Sequence, residues 1–202
     1  MIDSMTFWDR AAPKYIRGRI SDMKNYEAGL DHTRSYLSPD QRALELGCGS
    51  GMTALKLAPS VAHITGSDIS GAMIAHARAD GAGTPNADFV HAGAGDPRLA
   101  GRNWDVVLAF NVLHLLPDTD AAFRDIRALL PPGGLFISKT PCLGGLKWSF
   151  LRPVIGTMRL IGKAPEVVWF TPATLQDAIA GAGFEIVEVA SYRSPLVVAR
   201  AV

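Results

Sequence analysis

Apolar runs and helical patterns alternate from residue 42 to the end of the chain. Seven apolar runs predict strands, over 42–46, 61–67, 87–92, 104–110, 133–140, 184–191 and 196–201. Apolar positions three and four residues apart predict helices between several of them, at 51–58, 70–80, 119–130 and 172–182. Because parallel strands need crossover connections, this alternation predicts a mostly parallel sheet with helices on both faces.

The last two predicted strands are too close together for a crossover. Only the residues from Ser191 to Pro195 join them, and a connection of that length permits a hairpin. The expected fold class is therefore α/β, a three-layer sandwich whose seven-stranded, mostly parallel sheet ends in an antiparallel hairpin. No polar linker divides the chain, so one domain over 1–202 is expected.

Residues 1–37 show the pattern of two helical pieces that precede the sheet. Apolar side chains recur at spacings of three and four in the first piece, at Phe7, Trp8, Ala11 and Tyr15. Pro13 and Gly18 are expected to interrupt this piece. Asp22 can cap a second helix, which is expected to extend through Tyr36. The segment is predicted to form an N-terminal helical cap on the domain.

Charge and cysteine content narrow the class of protein. Twenty Lys and Arg residues against 19 Asp and Glu give a net charge of +1, which gives no reason to expect a nucleic-acid partner. Cys48 and Cys142 are far apart, so neither a zinc site nor a disulfide framework is expected, and a reducing cytoplasm is predicted. Neither a signal peptide nor a membrane-spanning helix is expected.

The first predicted strand leads into a glycine-rich turn. Residues 45–51 read Glu-Leu-Gly-Cys-Gly-Ser-Gly, and a helical pattern follows. Small residues allow backbone to approach a ligand closely, and the helix N-terminus is expected to face a pocket. The stretch resembles the cofactor loop of class I S-adenosylmethionine-dependent methyltransferases. The resemblance implies that this turn holds the amino-acid end of the cofactor, through Gly47, Cys48, Gly49 and Gly51.

The same resemblance implies a role for two acids. Glu45 matches the acidic position of the motif and would order the turn and its water; the alternative is a strand residue paired at the sheet end. Asp68 follows the second predicted strand, 17 residues after Gly51, where a carboxylate can accept hydrogen bonds from two ribose hydroxyls. The alternative for Asp68 is a turn residue. Ile69 and Met73 would pack on the adenine, or are plain core.

The segment after the third predicted strand is expected to meet the adenine edge. Ala94 and Gly95 match the adenine-contacting positions of the family's pattern. The sequence departs from that pattern because Gly95 stands where an acid is frequent. Asp96 can replace that acid, and which of the two positions serves stays open.

The stretch from Asn111 to Asp118 resembles the family segment that opens the substrate side of the pocket. By position, Asn111 would lie near the amino-acid end of the cofactor and His114 near the transferred methyl group. His114 is the histidine best placed to act as a general base; the alternative is a structural histidine held in the loop. Tyr15 could face the methionine end of the cofactor, or serve as a core anchor.

Two absences bear on the reaction. The chain lacks the Asn/Asp-Pro-Pro-Tyr/Phe motif that orients planar amino groups of bases or glutamine. Asn111 and Thr140-Pro141 stand where metal-assisted methyl transfer would need carboxylates, so no metal site is expected. Because the sulfonium methyl is already activated, proximity and orientation can accelerate its transfer without an acid–base pair.

Residues 142–170 form an unusually long connection. Apolar side chains recur on one helical face, at Leu146, Phe150, Val154, Met158 and Ile161. Cationic side chains cluster on another face, at Arg152, Arg159 and Lys163. Pro153 is expected to kink or split the helix. Three roles are considered: a substrate lid whose apolar face closes the pocket, a contact with a membrane surface through 146–163, and a dimer contact.

The expected function is methyl transfer from S-adenosylmethionine to a small-molecule or lipid-like acceptor. One rival is a nucleotide-dependent oxidoreductase, which is disfavoured because Met52 breaks the Gly-x-Gly-x-x-Gly pattern. A second rival is a catalytically silent module that only binds the cofactor. A third is an RNA methyltransferase, disfavoured by the neutral charge.

Overall fold

The computed structural model describes residues 3–145, 150–160 and 162–202. One sheet contains seven strands: β1 (Arg42–Leu46), β2 (His63–Asp68), β3 (Ala87–His91), β4 (Val106–Phe110), β5 (Leu135–Lys139), β6 (Phe184–Ala190) and β7 (Leu196–Ala201). Each strand lies within two residues of a predicted apolar run, and the expected fold class is confirmed.

The strand order in the sheet is β3-β2-β1-β4-β5-β7-β6. The first five strands pair in parallel, whereas β7 is antiparallel to both β5 and β6. The hairpin therefore folds back, so that its second strand lies inside the sheet and its first strand forms the edge. The order reverses between β1 and β4, and ligands of open α/β sheets bind at such a reversal.

Within the described ranges, seven α-helices accompany the sheet: α1 (Ser4–Arg17), α2 (Met23–Arg34), α3 (Met52–Leu57), α4 (Gly71–Asp80), α5 (Thr119–Leu129), α6 (Leu151–Leu160) and α7 (Pro172–Gly181). Strands β1 and β4 lie in the middle of the sheet, and their apolar residues are buried because helices cover both faces. One face packs against α5 and α7 around Phe123 and Leu175. The other packs against α2, α3 and α4 around Leu30, Leu57 and Ile74.

Two local expectations about helices were wrong. Helix α1 continues through Pro13, although it ends at Arg17 just before Gly18 as expected, and the N–H of Gly18 donates to the Tyr15 carbonyl. Helix α2 ends at Arg34, before Tyr36. Pro153 falls in the first turn of α6, where a backbone N–H has no partner within the helix.

Candidate functional site

A cavity of about 650 Å³ lies at the carboxyl ends of the central strands. The sheet contributes Glu45 and Gly47 from β1 and its turn, Phe110 and Asn111 from β4, and Lys139 from the end of β5. Residues of α1, α2 and the segment between them form the opposite wall. The cavity thus lies at the strand-order reversal, and its volume is typical of small-molecule sites.

The glycine turn lets backbone line this cavity. Gly47 has φ +66°, and a Cβ there would come within 2.4 Å of a Val112 methyl group. Gly49 has φ +53° and lies against the ring of Tyr15, 3.4 Å from the position a Cβ would take. The Cys48 N–H donates to the Ser67 carbonyl over 2.9 Å and ties the turn to β2. Side chains at Gly47 and Gly49 would be strained and would narrow the space that this turn leaves for a ligand. We call this part of the turn, residues 47–49, the glycine cradle.

Gly51 does not line the cavity. A Cβ at this position would lie 2.8 Å from Ala77 and from the ring of Phe89. The glycine therefore allows the end of the turn to pack against α4 and β3. The implied contact between Gly51 and the cofactor stays a prediction, whereas its packing role is visible in the structure.

Glu45 is a buried acid that faces the cavity. Its residue is 2% exposed, and Oε2 has no hydrogen-bond partner within the part of the chain that the structure describes. Burial, with a smaller contribution from the nearby Asp68 carboxylate, raises its pKa to about 8, although a hydrogen bond from the Ala54 backbone opposes the shift. An orphaned oxygen beside a glycine cradle is a natural partner for a ligand that brings a hydrogen-bond donor.

Asp68 connects the glycine turn to the start of α4. Its carboxylate accepts hydrogen bonds from the N–H of Gly49 over 2.9 Å and of Ser70 over 2.8 Å. Burial raises its pKa, while the two backbone bonds oppose that effect. Each carboxylate oxygen can accept a second bond, so Asp68 keeps capacity for ribose hydroxyls, although it does not itself line the cavity.

The predicted adenine contacts are grouped around the ends of β2 and β3. Met73 is buried at 2% exposure, and a methyl group of Ile69 lies beside Gly93. Ala94 packs against the core. None of the three lines the cavity.

Gly95, which stands where the family's pattern frequently has an acid, lies beside an acid of α5. A Cβ at Gly95 would lie 2.6 Å from the carboxylate of Asp125 on α5. Asp96 is instead held by the Arg98 guanidinium, which lowers the Asp96 pKa to about 2. Asp125 therefore occupies the space beside Gly95, and the sequence contains no local signal for this contact between α5 and the segment after β3.

Helix α1 is fastened over the site by Asp9. Its carboxylate accepts from the Ser70 hydroxyl over 2.6 Å and from the Ala72 N–H over 3.1 Å, at the first turn of α4. Tyr15, six residues further along α1, lies over Gly49 and is 54% exposed, so it is not a core anchor. The walls around Tyr15 and the acids Glu45 and Asp68 raise the pKa of its phenol.

Asn111 and His114, both expected near the cofactor, differ in their position relative to the cavity. Asn111 lines the cavity with φ +56°, a left-handed conformation that is uncommon outside glycine. His114 does not line the cavity; its Nδ1 is buried without a partner among the described residues. Burial lowers its pKa to about 4, and its carbonyl accepts from the Val168 N–H.

The described residues of the insert do not close the cavity in this structure. None of its described residues, 142–145, 150–160 and 162–170, lines the cavity, and Phe150, Val154 and Met158 are 63%, 51% and 38% exposed. A substrate lid formed by this apolar face therefore stays a prediction. Leu146 and Ile161, assigned to the same face, lie outside the described residues.

Two further structural features are absent from the described residues. No cluster of three or more His, Cys, Asp or Glu residues suited to a metal ion occurs in the described ranges. Over the same ranges, no helix has the length and apolar character needed to span a membrane.

The seven-stranded sheet with its internal β7, and the glycine turn with its orphaned Glu45, define a class I S-adenosylmethionine-dependent methyltransferase. A family model described as "Methyltransferase domain" matches residues 15–189, and the chain belongs to this family.

Relatives and solved structures agree with this family. A ubiquinone biosynthesis O-methyltransferase of Methylobacterium nodulans is 30% identical over 198 residues, which cover 91% of this chain and 78% of that protein. The magnesium protoporphyrin IX methyltransferase of Synechocystis, solved with bound S-adenosylhomocysteine, has a TM-score of 0.71 at 20% identity, over 98% of this chain and 95% of that one. An S-adenosylmethionine-dependent methyltransferase of Mesorhizobium loti has a TM-score of 0.69 at 23% identity, over 84% and 96%. Both structures show the same fold.

Proposed function

We propose that the chain methylates a small or lipid-like molecule directly, without a metal ion. The observation that carries this proposal is the cavity at the ends of β1, β4 and β5, which contains both the glycine cradle and the unpartnered Oε2 of Glu45. These residues fit S-adenosylmethionine, because a cradle without side chains and an orphaned acceptor suit its amino-acid end.

Most of the residues predicted from the sequence to bind the cofactor would then have a part in holding the donor. Gly47, Cys48 and Gly49 would hold the amino-acid end, beside Glu45 and Asn111. Asp68 would hold the ribose, and the adenine would meet the group formed by Ile69, Met73, Ala94 and Gly95. S-adenosylmethionine supplies an activated methyl group on a sulfonium, so the protein needs no covalent intermediate.

The remaining work of the site is alignment and exclusion of water. Helices α1 and α2 cover the cavity, and Asp9 fastens α1 to the first turn of α4. Holding two reactants in one orientation can supply much of the acceleration of a transfer reaction. His114 is a poor general base on this view, since its pKa of about 4 leaves it little affinity for a proton.

The class of acceptor is supported by relatives and by the insert. The Methylobacterium nodulans relative is named for an O-methyl transfer in ubiquinone biosynthesis, which favours a small molecule. The exposed apolar side chains of α6, with Arg152 beside them, would suit contact with a membrane surface during uptake of a lipid-like acceptor. A role as a lid would require the insert to move. A cytoplasmic location stays a prediction.

A direct test uses S-adenosylmethionine labelled in its methyl group and a fractionated cell extract. We expect label in a small organic product, in amounts that grow with enzyme. Label in RNA, with binding that weakens as salt increases, would contradict the choice of acceptor. Binding of S-adenosylhomocysteine without transfer to any fraction would instead favour a silent cofactor-binding module.

A further inference from the structure

The end of the Lys139 side chain occupies a space beside Gly29 of α2, which we call the seat of Lys139. Gly29 lies buried in the interior of α2, and a Cβ there would lie 2.4 Å from the Lys139 ammonium. Glycine is unfavourable inside a helix because it increases the entropy lost on folding. Its presence at this position admits the end of the lysine side chain between α2 and the sheet.

The contacts in this seat hold the ammonium group of Lys139, and none of them is with a carboxylate that would neutralise its charge. Lys139 donates to the Asn25 carbonyl over 2.9 Å, and its Nζ lies 4.8 Å from the centre of the Tyr192 ring. An ammonium has three N–H donors, so these contacts leave capacity toward the cavity that Lys139 lines. No ion pair among the described residues includes Lys139. Burial lowers its pKa, and Asp22 partly opposes that effect.

The cavity as a whole is more cationic than its acids can balance. Besides Lys139, three exposed cations line it, Lys14, Arg19 and Arg193. Its acids are Asp22, which caps α2 by accepting from the Asn25 N–H, and Glu45, whose pKa of about 8 keeps it mainly protonated at neutral pH. A cleft lined by one sign of charge attracts ligands of the opposite sign.

We propose that Lys139 binds the anionic group of the methyl acceptor, which is therefore a small acid with an apolar body. The apolar body follows from the other residues of the wall, among them Ile20, Leu30 and Phe110. The proposal rests on the function proposed above and adds the charge of the substrate. It assigns to Lys139 a role in binding and selection rather than in the transfer itself.

One other anion could reach the same ammonium, the carboxylate of S-adenosylmethionine. The two sources differ in what the loss of Lys139 changes. If Lys139 holds the acceptor, its removal leaves the affinity for S-adenosylhomocysteine unchanged. If it holds the donor, that affinity falls.

The experiment is calorimetry on the full chain saturated with S-adenosylhomocysteine. The probes are matched pairs of an acid and its neutral amide: butanoate, octanoate, benzoate and cinnamate. The variants are Lys139→Met, Lys139→Arg and Gly29→Ala, which keeps the lysine but fills its seat. Lys24→Met removes an exposed cation of α2 outside the cavity and serves as the matched control.

We expect at least one acid to bind about tenfold more tightly than its amide to the unmodified chain, a preference worth about 1.4 kcal/mol. Lys139→Met and Gly29→Ala should abolish the preference, while Lys139→Arg and Lys24→Met should retain it. Equal binding of every acid and amide would overturn the proposal, and so would a preference that survives in Lys139→Met. A loss of S-adenosylhomocysteine affinity of about tenfold in Lys139→Met would assign the lysine to the donor instead.

Failure of the proposed function would look different. In that case the unmodified chain would bind S-adenosylhomocysteine but transfer no label, whatever its preference between acids and amides. The calorimetric comparison therefore tests Lys139, and the labelling experiment tests methyl transfer.

Discussion

The carboxylate of Asp68 accepts a hydrogen bond from the N–H of Gly49 over 2.9 Å. This bond joins the end of β2 to the glycine turn after β1, so the acid that would bind the ribose also holds the turn that would bind the amino-acid end. The second carboxylate oxygen accepts from the N–H of Ser70. Two parts of one binding site are therefore organised by a single side chain.

Asp68→Ala should weaken the binding of S-adenosylhomocysteine by about 1–3 kcal/mol, the range for leaving hydrogen-bonded groups without partners. Calorimetry measures the loss, and Asp120→Ala, which removes an exposed acid of α5, is the control. Unchanged affinity in Asp68→Ala would refute the assignment to the ribose.

Gly47→Ala should reduce both stability and cofactor affinity. The new Cβ meets Val112 and forces a left-handed conformation, which costs about 1–2 kcal/mol for an L-residue. Gly133→Ala is a matched control, because Gly133 also has positive φ but open space around it. By urea unfolding we expect backbone strain in both variants, a larger loss of stability in Gly47→Ala because its Cβ also meets Val112, and loss of S-adenosylhomocysteine binding in Gly47→Ala alone. Loss of binding in both would show that the cradle is not specific to Gly47.

Most of the sheet could be predicted because its strands are apolar and flanked by turn residues. The predicted run 104–110 begins two residues before β4, since Trp104 is buried as a strand residue would be but lies ahead of the ladder. The position of β7 between β5 and β6 could not be read from the chain. A short connection shows that two strands pair, but not which of them joins the rest of the sheet.

The residues of the site fall into two groups in the same way as the strands: some belong to local motifs that a sequence can show, and others are brought together only by tertiary packing. Glu45, the glycine turn and Asp68 belong to short motifs whose residues lie next to buried strands. Lys139 and Asp125 had no such signal. A lysine at a strand end is ordinarily solvated, and the seat at Gly29 exists only because α2 packs across β5. Contacts of this kind depend on tertiary packing and carry no periodicity.

The exposed face of α6 should bind anionic membranes. Replacing Phe150 and Val154 together by Ser should reduce cosedimentation with phosphatidylglycerol vesicles by about tenfold, since apolar area and anionic lipid act together. The control replaces Val187 and Val189, exposed valines of β6, by Ser. No binding of the unmodified chain, or an equal loss in the control, would argue against a membrane role for the insert.

His114 should stay neutral throughout the physiological pH range. Burial lowers its pKa to about 4, and its Nδ1 has no partner among the described residues to stabilise the imidazolium. An NMR titration of the ring resonances, assigned with His114→Gln, should show no transition between pH 5.5 and 8. A transition near pH 6.5, the ordinary histidine value, would restore His114 as a candidate general base.

Glu45 should make the chain less stable as the pH rises. Its pKa is about 8 in the folded chain against an ordinary value of 4.5. Between these values the unfolded chain ionises Glu45 while the folded chain keeps the proton, so unfolding releases a proton and is favoured by higher pH.

The penalty is absent below pH 4.5, grows through this window and is complete above pH 8. The difference in pKa corresponds to a loss on the order of 5 kcal/mol. Glu45→Gln cannot ionise, so urea unfolding at pH 5 and pH 8 should show a smaller loss of stability in the variant than in the unmodified chain. Equal losses in the two proteins would mean that Glu45 is ionised in the folded state, and the acid would then need a cationic partner in the cavity.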